Sequence, residues 1–73
     1  HNIRVNSVHP GLIETAMLDQ FPDNLQPRVE SVVPMGRSAE ATEVAELVLW
    51  LASQESSYCT GAEFVIDGGL SVA

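Results

Sequence analysis

Apolar positions in this chain fall into three rhythms, and each predicts a different element. Ile3, Val5 and Val8, with Asn6 and Ser7 between them, make a β-branched run that ends at Pro10. Proline has no amide hydrogen with which to continue a central ladder, so the run reads as a short strand, and Gly11 permits a tight backbone path beyond it. From residue 16 to residue 35 the composition is mixed, and Pro22, Pro27 and Pro34 allow short helical pieces but no long helix. This stretch reads as a lid-like connection. Over residues 40–53, Val44, Leu47, Val48 and Leu51 follow the i, i+3, i+4, i+7 spacing of an amphipathic helix. Glu40, Glu43 and Glu46 place negative charge where the helix dipole favours it, and the start falls between Ser38 and Thr42. Ala45, Leu49, Trp50 and Ala52 widen the apolar surface, which predicts packing on a sheet with one face and on another element or subunit with another. A polar turn over 54–61 leads to a last strand within 62–67, where Phe64, Val65 and Ile66 are stopped by Asp67-Gly68-Gly69.

Two strands joined by about 50 residues that include a helix predict parallel neighbours with a right-handed crossover. Parallel sheets are covered on both faces and contain more than two strands, so further strands are expected to complete this one. Length points the same way. A chain of 73 residues buries only about 60 % of its unfolded surface, while ordering costs roughly 1.5 kcal/mol per residue. Cys59 stands alone, so no disulfide offsets that cost. The chain begins at His1 and runs directly into a strand, which leads to the expectation that residues 1–73 are the tail of one longer domain. No internal repeat or low-complexity tract is visible.

The net charge of −7, with Arg4, Arg28 and Arg37 as the only fixed cations, argues against nucleic acid or an anionic membrane as partner, since both require clustered basic residues. The longest apolar run, Leu47 to Ala52, falls far short of the roughly 20 residues that span a bilayer. No signal peptide is visible, and a single cysteine fits a reducing cytoplasm.

In open parallel sheets ligands bind beyond the carboxyl ends of the strands, and Pro10 to Thr15 fall in that place for the first strand. The alternative is a plain strand-to-loop turn with Thr15 as a local cap. Two segments bear on the choice: Val5-Asn6-Ser7-Val8-His9-Pro10-Gly11-Leu12-Ile13-Glu14-Thr15, and Thr60-Gly61-Ala62-Glu63-Phe64-Val65-Ile66-Asp67-Gly68-Gly69. At this separation and in this order they resemble the C-terminal part of the short-chain dehydrogenase/reductase family, whose members carry R-V-N-x-[VI]-x-P-G-x-[IV]-x-T and T-G-x-x-[FILV]-x-V-D-G-G. The resemblance covers nearly the whole chain. It implies an α/β fold: the C-terminal strand–lid–helix–strand portion of a Rossmann-type doubly wound parallel sheet.

The same resemblance implies an oxidoreductase that transfers a hydride between NAD or NADP and an alcohol/ketone pair. Pro10, Gly11, Ile13 and Thr15 become the cofactor-binding residues, with the Ile13 backbone on the nicotinamide carboxamide and the Thr15 hydroxyl on the carboxamide or the nearby phosphates. The family's glycine-rich turn and its catalytic Ser and Tyr-x-x-x-Lys would lie upstream of His1, so no catalytic residue is assigned here. The last helix and strand commonly build a homotetramer interface in the family. Within it, the runs around residues 5–12 and 56–69 look most like bacterial hydroxysteroid dehydrogenases of the 3α/20β type.

Other residues carry weaker signals. Met17, Leu18 and Phe21, with Leu25, place apolar groups on the lid, which suits a small apolar alcohol or ketone or, equally, ordinary packing. His9 is a candidate general base by residue type, but Pro10 restricts it to extended geometry. Tyr58 lacks a lysine four residues later, where Ala62 stands, and reads as a packing or turn residue. Asp67 has no partners at metal-ligand spacing and reads as a turn cap or as a partner for Arg4. The choice between NAD and NADP is set outside this segment. A rival function is a non-catalytic interaction module or inactive truncated product, which an upstream Tyr-x-x-x-Lys and glycine-rich turn would exclude.

Overall fold

The structure, a computed structural model, describes residues 2–14, 29 and 31–72. Strands β1 (Ser7–Pro10), β2 (Ile13–Glu14) and β3 (Ala39–Glu40) precede helix α1 (Ala41–Ala52), and β4 (Glu63–Ile66) follows it. β1 and β4 are parallel neighbours, with Ser7 opposite Glu63 and Pro10 opposite Ile66. Pro10 therefore occupies the last position of the strand rather than lying beyond it, and the next ladder bond is made by the Gly11 N–H to the Ile66 carbonyl at 2.9 Å. The strand also starts later than the β-branched pattern suggests, since Ile3 and Val5 lie before it and are exposed.

What orders residues 4–6 is polar. The Arg4 guanidinium donates to the carbonyls of Leu51 (3.0 Å), Cys59 (3.1 Å) and Ser53 (3.2 Å) and to Ser56 Oγ (3.2 Å). Two of these oxygens lie at the carboxyl end of α1, where unpaired carbonyls and the helix dipole favour a cation. Asn6 Nδ2 donates to the Cys59 carbonyl and Asn6 Oδ1 accepts from the Ala62 N–H. Ser56, 1 % exposed, places its hydroxyl beside the same group of carbonyls. Arg4 thus belongs to the amino-terminal end of the parallel pair, and the pairing with Asp67 considered above does not form.

α1 begins one residue after Glu40, whose extended backbone (φ −84°, ψ 150°) makes it the N-cap, and ends before Ser53. Val44, Leu47 and Leu51 are half-buried, Val48 is exposed, and no α1 residue is fully buried. Trp50, which the sequence pattern placed on the wider surface, meets Phe64 of β4 edge to face with centroids 6.2 Å apart. It belongs to the sheet contact, because one more apolar position on that side lets the helix reach an aromatic ring. Along β4 the exposure alternates: Phe64 and Ile66 are half-buried, while Glu63 and Val65 are exposed. The fully buried apolar side chains among the described residues are Val29 and Val33.

Candidate functional site

The carboxyl ends of β1 and β4 meet at Pro10-Gly11 and Asp67-Gly68. A Cβ on Gly11 would lie 2.7 Å from Asp67 Cβ and 2.9 Å from Asp67 Cα. Gly11 is not in the left-handed region, so it is required for space, not for backbone conformation. Gly68 is required on both counts, with φ +65° and a Cβ that would fall 2.8 Å from Val33 Cγ1. The Gly68 carbonyl accepts the Met35 N–H at 3.0 Å. Residues 33–36 are therefore seated on the same turn as the Pro10-Gly11 loop. Upstream of them, residues 29, 31 and 32 are helical, and the Val33 N–H donates to the Val29 carbonyl.

Beyond Gly11 the chain forms a second parallel bridge, Ile13 opposite Ala39, anchored by the Ala39 N–H on the Leu12 carbonyl at 2.9 Å. Peptide groups alternate sides along an extended chain. Since the Leu12 carbonyl points to β3, the N–H and carbonyl of Ile13 point away from it. Behind this loop lies a cavity of about 70 Å³ lined mainly by Leu12, Val33, Met35, Ala39 and Ile66. That is room for a few waters at most. A ring-sized ligand does not fit into it.

Two carboxylates near the loop are fixed by hydrogen bonds. Asp67 Oδ1 accepts the Gly69 N–H and Oδ2 the Ser71 N–H, both at 2.9 Å. Bonding to Ser71 first of all, with help from the backbone of Gly69 and Leu70, holds its carboxyl below the usual value despite some desolvation. Glu43 receives Arg37 in a two-point contact of 2.8 and 3.0 Å and accepts the Glu40 N–H at 2.9 Å. The bond from Arg37, then that from Glu40, lowers the Glu43 pKa to about 2, and the same bond raises that of Arg37. This links the start of α1 to the segment that follows Met35.

Pro10, Gly11 and Ile13 thus come together at one end of the sheet. Thr15, Met17, Leu18 and Phe21 lie outside the described residues. His9 is exposed, with Nε2 2.9 Å from Ser7 Oγ two residues earlier on the same strand face. Tyr58 is a fully exposed turn residue. Asp67 caps its turn. Sequence reasoning missed the β2–β3 bridge and the Arg37–Glu43 contact. The Glu40-x-x-Glu43 spacing, that of a capping box, was the signal available for the second.

The family profile described as enoyl-(acyl carrier protein) reductase matches residues 1–71. The chain belongs to the short-chain dehydrogenase/reductase family. Over 67 residues it is 55% identical to a 3-alpha-(or 20-beta)-hydroxysteroid dehydrogenase of Mycobacterium tuberculosis, covering 92% of this chain and 24% of the relative. It is 49% identical over 71 residues to a 3-oxoacyl-[acyl-carrier-protein] reductase of Thermotoga maritima, covering 97% and 29%. Among solved structures, a 3-oxoacyl-[acyl-carrier protein] reductase from Brucella melitensis superposes with a TM-score of 0.91 at 39% identity, over 99% of this chain and 27% of that one. A 4-hydroxyisoleucine dehydrogenase complexed with NADH gives 0.90 at 30% identity, over 99% and 30%. The fold is Rossmann-type, and the chain spans about a quarter of the length of the curated relatives it matches.

Proposed function

We propose that this chain is the C-terminal part of an NAD- or NADP-dependent oxidoreductase that moves a hydride between the nicotinamide ring and an alcohol/ketone pair. In this reading residues 10–15 form the loop on the nicotinamide side. The observation that carries it is the position of Pro10, Gly11 and Ile13 at the carboxyl ends of two parallel strands, with the Ile13 N–H and carbonyl turned away from β3. A carboxamide presents both acceptor and donor, so one residue's N–H and carbonyl are its complement. When bound, the nicotinamide supplies the hydride chemistry. The chain's own residues orient it. Gly11 keeps the loop against the Asp67 turn, Ile13 offers its peptide groups, and Thr15 contributes a hydroxyl. General acid/base work by Tyr, Lys and Ser falls outside these 73 residues, which contain no lysine.

Similarity to a dehydrogenase held with NADH supports the nicotinamide reading, and similarity to a hydroxysteroid dehydrogenase supports a small apolar alcohol or ketone against Met17, Leu18 and Phe21. A homotetramer formed through α1 and β4 is part of the same reading, supported by Leu49, 71% exposed, and Val65, 53% exposed. We also infer a cytoplasmic setting, supported by the lone cysteine. Among the described residues no helix is long and apolar enough to cross a membrane.

The test is a fluorescence titration of the intact protein with NADH and NADPH. Thr15→Ala should weaken binding roughly threefold to a hundredfold, the range spanned by one neutral or one charged hydrogen bond. Thr15→Ser should recover most of that loss and Thr15→Val should not. If Val binds as well as Thr while Ser does not, the position acts by packing and its cofactor role is wrong.

A further inference from the structure

We propose that Asp67 is a positioning residue for the cofactor: it never touches the nicotinamide, but it holds the turn on which both the Pro10–Ile13 loop and the root of the lid rest. The inference depends on the reading of residues 10–15 given above. Two segments converge on residues 67–71. Gly11 approaches Asp67 so closely that a Cβ would lie 2.7 Å from Asp67 Cβ. Met35 donates its N–H to the Gly68 carbonyl at 3.0 Å, and Pro34 lies under Gly69, where an added Cβ would meet Pro34 Cγ at 3.0 Å. The turn runs on into the 3-10 helix Leu70–Val72.

The turn itself has an unusual backbone. Gly68 and Gly69 are both left-handed, with φ +65° and +96°. Two consecutive glycines in this region are free to take other conformations, and no strand ladder holds them. Beside the backbone bonds from the Leu70 N–H to the Asp67 carbonyl (3.2 Å) and from the Val72 N–H to the Gly69 carbonyl (3.1 Å), the shorter restraint comes from the Asp67 carboxylate, one oxygen on the Gly69 N–H and the other on the Ser71 N–H, both at 2.9 Å. Without it only the two longer backbone bonds remain, the turn samples other shapes more often, and the common support of Gly11 and Met35 loosens. A loop that is competent only part of the time binds with an affinity reduced by that fraction.

Four variants of the full-length protein test this, each titrated with NADH and NADPH well below its own melting midpoint. Asp67→Ala keeps the Cβ that Gly11 meets and removes both acceptors, and it should raise Kd about 3- to 30-fold by lowering the competent fraction. Asp67→Asn keeps one acceptor and should recover most of that loss. Ser71→Pro removes the amide hydrogen on Oδ2 together with the Ser71 hydroxyl and should weaken binding in the same direction. The double variant Asp67→Ala/Ser71→Pro should bind no more weakly than Asp67→Ala, since both changes remove one interaction. A merely structural Asp67 would lower the melting midpoint and leave Kd within twofold on folded protein, and that result overturns the proposal. If Asp67→Ala does not fold, Ser71→Pro decides: unaltered Kd rejects the proposal, and weakened binding upholds it. Failure of the wild-type protein to bind either dinucleotide overturns the cofactor reading itself. Normal wild-type binding with unaltered Asp67 variants overturns only this inference.

Discussion

Replacing Arg4 by Met keeps an apolar stem of similar length and removes four hydrogen bonds of 3.0 to 3.2 Å in one step. Bonds to charged groups contribute about 1.5–3 kcal/mol each, but the site is only partly buried and the freed carbonyls of Leu51, Ser53 and Cys59 can bind water. The loss should therefore be about half of the smallest additive value, roughly 3 kcal/mol, part of it the interaction of the cation with the end of α1. In an intact protein of the relatives' size this corresponds to a melting midpoint about 6–12 °C lower. Arg4→Lys should recover less than half, because a single ammonium cannot reach oxygens shared between two guanidinium nitrogens. Differential scanning calorimetry of the three proteins reads the effect directly. A midpoint for Arg4→Met within about 2 °C of wild type, or a Lys variant equal to Arg, would refute the reasoning.

Four further outcomes are expected of the intact protein. Gly11→Ala should lose about 1–3 kcal/mol in urea unfolding, because the new methyl meets the Asp67 backbone and cannot be relieved by a side-chain rotation. Gly61→Ala should lose about 1 kcal/mol through its left-handed backbone alone, since nothing lies within 4 Å of the added Cβ. A smaller loss for Gly11→Ala than for Gly61→Ala would contradict the close approach. Glu43 has a folded pKa of about 2 against an ordinary value of 4.5. It binds fewer protons when folded, so its contribution to stability is complete above pH 4.5 and disappears as the pH falls through 2. The difference in melting midpoint between wild type and Glu43→Gln should shrink over that window, and a pH-independent difference would remove the ion pair from the account. Leu49→Glu should lower the assembled mass in sedimentation more than Glu46→Gln, and equal masses would take α1 out of the subunit interface.

The parts of the fold legible in the sequence are those written in local periodicity. The helix register of Val44, Leu47 and Leu51, and the β-branched runs before Pro10 and Asp67, predict a parallel strand pair separated by a helix, and β1 and β4 pair in that way. The β2–β3 bridge is two residues long on each side. Ile13-Glu14 and Ala39-Glu40 carry no alternation long enough to register, and the bridge follows from where Gly11 and the 33–38 segment deliver the chain. Of the two readings of Asp67, the turn cap holds and the pairing with Arg4 does not, for a related reason. Position along β1 decides which end of the sheet a side chain reaches, and Arg4 lies before the strand while Asp67 lies after its partner. At the site, proline, glycine and the strand end were readable because each removes or frees a backbone degree of freedom. The hold of Asp67 on Gly69 and Ser71 depends on atoms brought within 2.9 Å by a turn that no periodicity encodes.

The bonds that hold residues 4–7 in place join partners 47 to 56 positions apart in the chain. The frame is therefore closed by one long-range event, and its entropic cost depends only logarithmically on the length between the two ends. Doubling such a connection costs only about 0.6 kcal/mol. By that measure the length of the connection has little effect on whether the two strands find each other. In kinetic terms the closure is slow and late, because nothing local rewards it before both ends meet. In evolutionary terms a frame that closes at its ends leaves its middle free to diverge without renegotiating the fold.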